Sequence, residues 1–341
     1  MNLQSALDTY LPLIEDELRA CLAMPDGGVP DYFGMLHYHL GWADERFQPV
    51  EARTGKRIRP VFTLLACRAA GGEPFRALPA AAAVEIIHNF SLIHDDIEDG
   101  SNTRRGRRTV WSWWGVPQAI NAGDGMFALA FLALHRLAHQ GVAAERVAQA
   151  SRILAETCVA LCQGQHLDLA FETSPDVGVE DYMRMIGGKT AALLGCAAHL
   201  GAVVAGAPPA AGARYRRVGE LLGTAFQIQD DVLGIWGDAA VTGKPVADDI
   251  RSRKKTLPVL YALTRPGAAG LTALHAQPAL TDVQVEEIKT LLAACGAREH
   301  AEQLADTYLE RALAELEAAQ PEPEAGEALR ELARALVQRA A

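Results

Sequence analysis

A chain of 341 residues could hold two domains, although large all-helical folds also reach this length as one. Half of its residues are hydrophobic, which supports a sizeable core, while a formal net charge of −10 argues against a nucleic-acid partner. No run of about 18 uninterrupted apolar residues is present, so no membrane span is expected, and no basic segment followed by an apolar core opens the chain.

Few aromatics and abundant alanine favour packed helices over sheet, and the expected fold class is all-α. Leu3–Leu22 repeats apolar residues at three- and four-residue spacing, the pattern of an amphipathic helix. The loop Pro25–Pro30 separates it from a helix over Tyr32–Trp42. Thr54-Gly55-Lys56-Arg57-Ile58-Arg59-Pro60 is a basic turn leading into the apolar helix Val61–Ala70, which Gly71-Gly72-Glu73-Pro74 breaks.

Pro79 opens a long apolar helix that carries His88-Asn89-Phe90-Ser91-Leu92-Ile93-His94-Asp95-Asp96-Ile97-Glu98-Asp99, followed at once by Arg104-Arg105-Gly106. At about 100° per residue, Asp95 and Asp99 lie one turn apart, about 40° off each other, and His88 falls about 20° from Asp95. Unpaired carboxylates in an apolar wall are costly, on the order of several kcal/mol each. The stretch is either a solvated helix end with Asp–Arg pairs or a divalent-cation site at the mouth of an apolar cavity. Its Ile, Phe and Leu residues favour the second, and oxygen-only ligands suit Mg²⁺.

After Gly106, Val110–Trp114 is short and aromatic. Asn121-Ala122-Gly123-Asp124-Gly125 leads into Met126–Leu137, apolar on all sides and therefore a buried helix. Ala143–Phe171 is another long helix, with the polar cluster Gln163-Gly164-Gln165-His166-Leu167-Asp168 in an apolar run. Cys158, Cys162 and His166 recur at helical spacing, but no fourth ligand accompanies them and no zinc site is assigned. The six cysteines are scattered, which fits a reducing cytoplasm. Val179–Ala205 gives one or two helices with Lys189-Thr190 in the interior. Gly187-Gly188-Lys189-Thr190 is not a P-loop, because the glycine required at 183 is Met183 and no strand precedes it.

Tyr215–Trp236 repeats the paired-aspartate pattern about 135 residues on, as Phe226-Gln227-Ile228-Gln229-Asp230-Asp231-Val232-Leu233-Gly234. Gly237–Lys255 is a loop rich in Gly, Asp, Lys and Arg. Thr256–Leu263 returns to helix, and polar-faced amphipathic helices follow, broken at Pro266–Gly270 and Pro321–Gly326.

Two aspartate clusters facing each other across a cavity can hold several Mg²⁺ ions through a diphosphate. Such a site suits loss of diphosphate from carbon, with cations stabilising the departing charge and apolar walls keeping water from the carbocation. One diphosphate needs one basic set. The sequence offers two: Lys56, Arg59 and Arg105 with His88, and Arg104 with Lys189 and Lys244. Two diphosphate substrates are therefore implied.

These spaced motifs resemble those of the polyprenyl synthetase family, the trans-isoprenyl diphosphate synthases, from about Thr54 to Pro258. Gly55–Pro60 resembles the isopentenyl-diphosphate turn. Asp95–Asp99 with Arg104–Gly106 resembles the first aspartate-rich motif, and Phe226-Gln227 with Asp230-Asp231 the second. Gln165 and Asp168 resemble an element beside the metals. Lys189-Thr190 resembles the pair that contacts the allylic diphosphate. Val241-Thr242-Gly243-Lys244 and Lys254 resemble a loop that closes over the site.

The resemblance implies a single domain over residues 1–341, with about ten to a dozen helices round a central apolar cavity, in a cytoplasmic homodimer. It implies head-to-tail condensation of isopentenyl diphosphate with dimethylallyl, geranyl or farnesyl diphosphate. Carried over by position, Asp95 and Asp99 bind two Mg²⁺ and Asp230 a third, with Asp96 and Asp231 in the same catalytic motifs. Arg104, Lys189 and Lys244 grip the allylic diphosphate, with Lys254 in the same substrate-binding set. Lys56, Arg59, His88 and Arg105 grip isopentenyl diphosphate. Thr190 and Gln227 lie beside the cation, and the released diphosphate takes the proton.

The family's second motif usually ends in a third aspartate, where this chain has Gly234; reduced metal tuning is the expectation. Ser91 lies one turn before Asp95 on the same face and is small, while bulky Phe90 lies about 140° round. In the family, an aromatic at the fifth upstream position, a small residue at the fourth and no insertion resemble the geranylgeranyl type. Ile87 and Met126 are candidate floor residues. Farnesyl and longer products are the alternatives. A class I terpene cyclase would not need Lys56, Arg59 and Arg105, and a non-catalytic subunit tends to lose the first motif, which is entire here.

Overall fold

The computed structural model describes residues 2–52, 55–174, 176–237, 247–266, 268–275, 277 and 279–338. The described residues are almost wholly helical, with one two-stranded hairpin. They form two compact units. One comprises Met1–Glu156, Cys196–Tyr215 and Gln320–Leu329; the other comprises Thr157–Gly195, Arg216–Ala319 and Arg330–Ala341.

In the first unit, α1 (Leu3–Cys21) is capped by the Asn2 side chain, which accepts from the Ser5 amide at 2.8 Å. It buries Ala6, Tyr10, Ile14 and Leu18, one residue per turn on a single stripe. Helix α2 (Pro30–His39) starts at Pro30 and stops earlier than its sequence predicts, because Gly41 takes a left-handed φ of 80° just beyond it. Helix α3 (Ile58–Ala69) and helix α4 (Leu78–Glu98) are buried on nearly all sides. Gly201 permits the chain to approach α3: a Cβ there would lie 2.3 Å from the Thr63 carbonyl oxygen.

Two short strands, β1 (Thr103–Arg104) and β2 (Arg107–Arg108), follow α4. The turn between them is Arg105-Gly106, with φ of 54° and 78°. Both values are left-handed, as a two-residue hairpin turn of the right twist requires. Next come α5 (Val110–Trp114) and α6 (Val116–His135). Helix α6 packs against α4 and starts ten residues before Met126, running through Asn121–Gly125. Gly123 and Gly125 are not breakers there. An added Cβ would meet the His94 ring at 2.1 Å at the first and the Tyr32 hydroxyl at 1.4 Å at the second. These glycines make room for neighbouring side chains within a helix.

The helix α7 (Ala144–Thr173) contributes residues to both units. Next, α8 (Val179–Ile186) runs into a π-helical turn (Gly187–Ala191) and on into α9 (Ala192–Ala205), whose residues from Cys196 belong to the first unit. Helix α10 (Pro209–Trp236) carries the second aspartate pair, and α11 (Asp248–Arg251) and α12 (Leu257–Leu263) follow it. Three helices, α13 (Ala269–His275), α14 (Asp282–Ala294) and α15 (Ala297–Ala318), precede the last, α16 (Pro323–Val337). Ile235, Ile250, Val259, Leu271, Ile288 and Leu292 share one apolar cluster. Among the described residues, Val179–Ala205 is the one segment long and apolar enough to cross a membrane, and 72% of its apolar window is buried within the protein, as in a core helix.

Candidate active site

The first unit carries Lys56, Arg59, His88, Arg104, Arg105 and the Asp95–Asp99 cluster. Lys56 is exposed and Arg59 half-buried. The Arg59 Nε is enclosed with no hydrogen-bond partner. Gly55 has a spatial reason to be glycine, since a Cβ there would lie 2.9 Å from Arg105 Nη2. The guanidinium of Arg105 therefore lies against the backbone of the basic turn. His88 is held neutral: burial drives its pKa well below the usual value, and Arg59, Arg105 and Arg104 add to the effect.

The aspartates of the first motif divide by direction. Asp95 is half-buried and Asp99 exposed at the C-terminal end of α4. Asp96 points inward, is 1% exposed and accepts from Arg104 Nε at 2.8 Å. Burial pushes its carboxyl up to about 6, against the pull of Arg104. Upstream on α4, Ser91 Oγ donates to the His88 carbonyl at 2.8 Å. The Phe90 ring sits 5.3 Å from Phe127 of α6, and Phe127 sits 5.3 Å from Phe131. Ile87 and Met126 are fully buried.

A buried polar cluster that the linear motifs do not reveal backs these residues. Arg57 opens α3 with a left-handed φ of 50° and sends Nη1 to Glu85 Oε1 at 2.7 Å. Asn89 donates to the same Glu85 oxygen at 3.1 Å. His39, at the end of α2, has an enclosed Nε2 with no partner. Burial lowers its pKa to about 3, with Arg105, Arg104 and Arg57 adding to the effect. His39 and Tyr38 line a small cavity with Asp96, Arg104 and Arg105. The only sequence hint of this cluster was an acid, Glu85, within an apolar helix.

In the second unit, Lys189 of the π-helical turn pairs with Asp168 of α7. Glycines set that approach. A Cβ on Gly164 would lie 2.1 Å from the Lys189 amide nitrogen, and one on Gly188 2.7 Å from the Ala160 carbonyl oxygen. Gly188 thus serves helix packing where a P-loop glycine would cradle phosphate. Thr190 Oγ1 donates to Gln227 Oε1 at 2.7 Å. Gln227 Nε2 donates to Asp231 Oδ1 at 3.0 Å, and the Tyr182 hydroxyl donates to Asp231 Oδ2 at 2.7 Å. Burial raises the Asp231 carboxyl to about 6, although Lys254 opposes the shift. Asp230, the other member of the pair, is half-buried.

Desolvation lowers the Lys254 pKa, but Asp231, Asp249, Asp168 and Asp230 outweigh it and raise the ammonium above its ordinary value. Asp249 reaches Gly234: a Cβ there would lie 1.9 Å from Asp249 Oδ2. The space that a side chain at 234 would enter is already taken by a carboxylate from α11. Lys244, with Val241–Gly243, lies outside the described residues.

Among the described residues, no group of three or more His, Cys, Asp or Glu side chains converges as a complete metal site. Cys158 is buried while Cys162 and His166 are exposed. Asp95 and Asp99 in the first unit and Asp230 in the second are oxygen donors, and the carboxylates of Asp231, Asp249, Asp168 and Asp230 favour the charged ammonium of Lys254. Mg²⁺ commonly takes one or two carboxylates and completes its shell with water and phosphate oxygens, so the carboxylates of each unit, taken separately, fit it.

The chain matches the family model described as polyprenyl synthetase over residues 42–294. It is 45% identical over 285 residues to the geranylgeranyl diphosphate synthase of Mycobacterium tuberculosis, covering 83% of this chain and 80% of the relative. It is also 45% identical over 249 residues to the (2E,6E)-farnesyl diphosphate synthase of Mycobacterium bovis, covering 72% and 67%. The crystal structure of a polyprenyl synthetase from Streptomyces coelicolor superposes with a TM-score of 0.90 at 35% identity, covering 98% of this chain and all of the other.

Proposed function

The chain belongs to the polyprenyl synthetase family and is a prenyltransferase that elongates trans-prenyl diphosphates; from that premise we propose the substrate roles of its residues and a twenty-carbon product, geranylgeranyl diphosphate. Lys56, Arg59, His88 and Arg105 hold isopentenyl diphosphate, and Arg104, Lys189 and Lys244 hold the allylic diphosphate. The family is magnesium-dependent; Asp95 and Asp99 hold two ions and Asp230 a third. Bound magnesium would supply the positive charge that turns the diphosphate into a leaving group.

The remaining chemistry falls to the chain. Arg104 and Lys189 are each oriented by a carboxylate, Asp96 and Asp168 respectively, so each cation is already positioned before an anion arrives. His88 stays neutral, which lets one ring nitrogen donate a hydrogen bond without adding charge to a site crowded with arginines. The Thr190 hydroxyl and the Gln227 amide stabilise the allylic cation, and the isopentenyl double bond attacks it. The released diphosphate takes the proton that restores the double bond.

The observation that carries the product length is the aromatic row Phe90–Phe127–Phe131, edge-on and then tilted with centroids 5.3 Å apart at each step, beside the small Ser91. Growth along the Phe90 stripe meets three rings in series. Incubation with isopentenyl diphosphate, Mg²⁺ and each allylic primer reads the answer. A twenty-carbon main product is expected, whereas a fifteen-carbon one would replace this reading with the farnesyl type. We also propose a cytoplasmic homodimer. No disulfide links the six cysteines, and Leu132 on the outer face of α6 is 61% exposed. Light scattering would distinguish one chain mass from two.

A further inference from the structure

The two aspartates of the second motif have different tasks, and the difference brings in a residue outside every motif. Asp231 is 2% exposed, and both of its oxygens are engaged inside the second unit. Oδ1 accepts from Gln227 Nε2 at 3.0 Å; Oδ2 accepts from the Tyr182 hydroxyl at 2.7 Å and the Leu257 amide at 3.2 Å. A carboxylate engaged in this way is an anchor for donors. Tyr182, 1% exposed on α8, is the one side-chain hydroxyl among these donors.

The direction of each hydrogen bond follows from the chemistry of the groups. An ionised carboxylate only accepts, so Gln227 must turn its NH₂ toward Asp231. Its carbonyl oxygen then faces Thr190, whose hydroxyl donates to it at 2.7 Å. With that proton committed, the Thr190 oxygen keeps lone pairs for a cation. The arrangement closes on itself, because α8, which holds Tyr182, continues straight into the π-helical turn that holds Thr190.

We infer that Tyr182 is a positioning residue: through Asp231 it fixes the Gln227 amide, and through that amide the Thr190 hydroxyl. This rests on the roles proposed above for Thr190 and Gln227. Loss of the Tyr182 hydroxyl leaves Asp231 Oδ2 with only the longer contact to the Leu257 amide, which loosens the hold on the buried carboxylate. The Gln227 amide then loses its single orientation, and the Thr190 lone pairs are no longer aimed. Diphosphate binding, which falls to other residues, is untouched.

The test is a kinetic cycle of Tyr182→Phe, Thr190→Val and the double variant, with isopentenyl diphosphate, an allylic diphosphate and Mg²⁺. Tyr182→Phe is expected to lower kcat about tenfold or more, with KM for both diphosphates within about twofold. The double variant is expected to match Thr190→Val alone, because Tyr182 acts through Thr190. Independent, multiplying losses would overturn the inference, as would an unchanged kcat in Tyr182→Phe. If Tyr182→Phe does not fold, 3-fluorotyrosine at 182 keeps the hydroxyl and alters its donation. An altered kcat at constant KM then supports the inference, and an unaltered kcat overturns it. A wild-type protein that joins no isopentenyl diphosphate to any primer would instead refute the prenyltransferase roles themselves.

Discussion

At the scale of single residues, Gly234 is the instructive case. From the sequence it is a missing third aspartate with reduced metal tuning as the expectation. In the structure, Asp249 Oδ2 lies 1.9 Å from where a Cβ at 234 would be. Restoring the familiar residue therefore does not restore a vacant ligand. Gly234→Asp forces the Asp249 side chain to swing away and places two carboxylates in one small space. Overpacking of this kind typically costs about 1–3 kcal/mol, and the added like charge raises the cost. The expected outcome is no gain in activity at low Mg²⁺ and a lower thermal midpoint. A magnesium titration showing tighter half-saturation in Gly234→Asp would show that position 234 lacks a ligand after all.

At the scale of elements, motif spacing told most about residues that sit one helical turn apart. Asp95 and Asp99, Gln165 and Asp168, and Gln227 and Asp231 were legible because 3.6-residue periodicity converts sequence distance into a shared face. Partners supplied by other helices were not legible. His39 comes from α2, Glu85 joins Arg57 across 28 residues, and Tyr182 meets Asp231 across 49. Glycines were misread for a related reason. Asn121–Gly125 reads as a lead-in to a helix that starts at Met126, yet Gly123 and Gly125 make room for His94 and Tyr32 inside α6.

The π-helical turn shows the same principle with a sharper consequence. A Cβ on Gly164 would strike the backbone of Gly188 and Lys189 at 2.1–2.8 Å, where no side chain can move aside. Gly164→Ala should therefore push the turn off α7 and carry Lys189 and Thr190 with it. The expectation is a loss of stability of about 1–3 kcal/mol or more, read by urea denaturation, with a fall in turnover. Gly187, one residue before Gly188, meets nothing within 4 Å and has a helical φ of −56°. Gly187→Ala is expected to be neutral or stabilising by up to about 1 kcal/mol. Equal damage from both substitutions would mean that the turn is sensitive to any change, and the packing explanation would fail.

At the scale of the whole molecule, the formal net charge of −10 conceals local positive islands, and these islands couple folding to pH through His39. Burial is the main influence on His39, the positive charges of Arg105, Arg104 and Arg57 add to it, and its pKa falls to about 3 from a usual 6.5. The sign follows from proton counting. Between pH 6.5 and 3 the unfolded chain protonates this imidazole and the folded chain does not. The His39 contribution is therefore complete above pH 6.5 and is lost as the pH falls toward 3, at up to about 1.4 kcal/mol per pH unit. Asp96 and Asp231, both raised to about 6, act in the opposite sense, because the folded chain binds their protons more readily. The raw pH profile of the wild type mixes these effects, so the informative quantity is a difference. His39→Gln keeps a polar amide but removes the titration. The stability of the wild type minus that of His39→Gln should be flat above pH 7 and should fall steadily from pH 6.5 to 5. Parallel profiles for the two proteins across that window, measured by denaturant unfolding, would show that His39 takes up a proton in the folded state as readily as in the unfolded one.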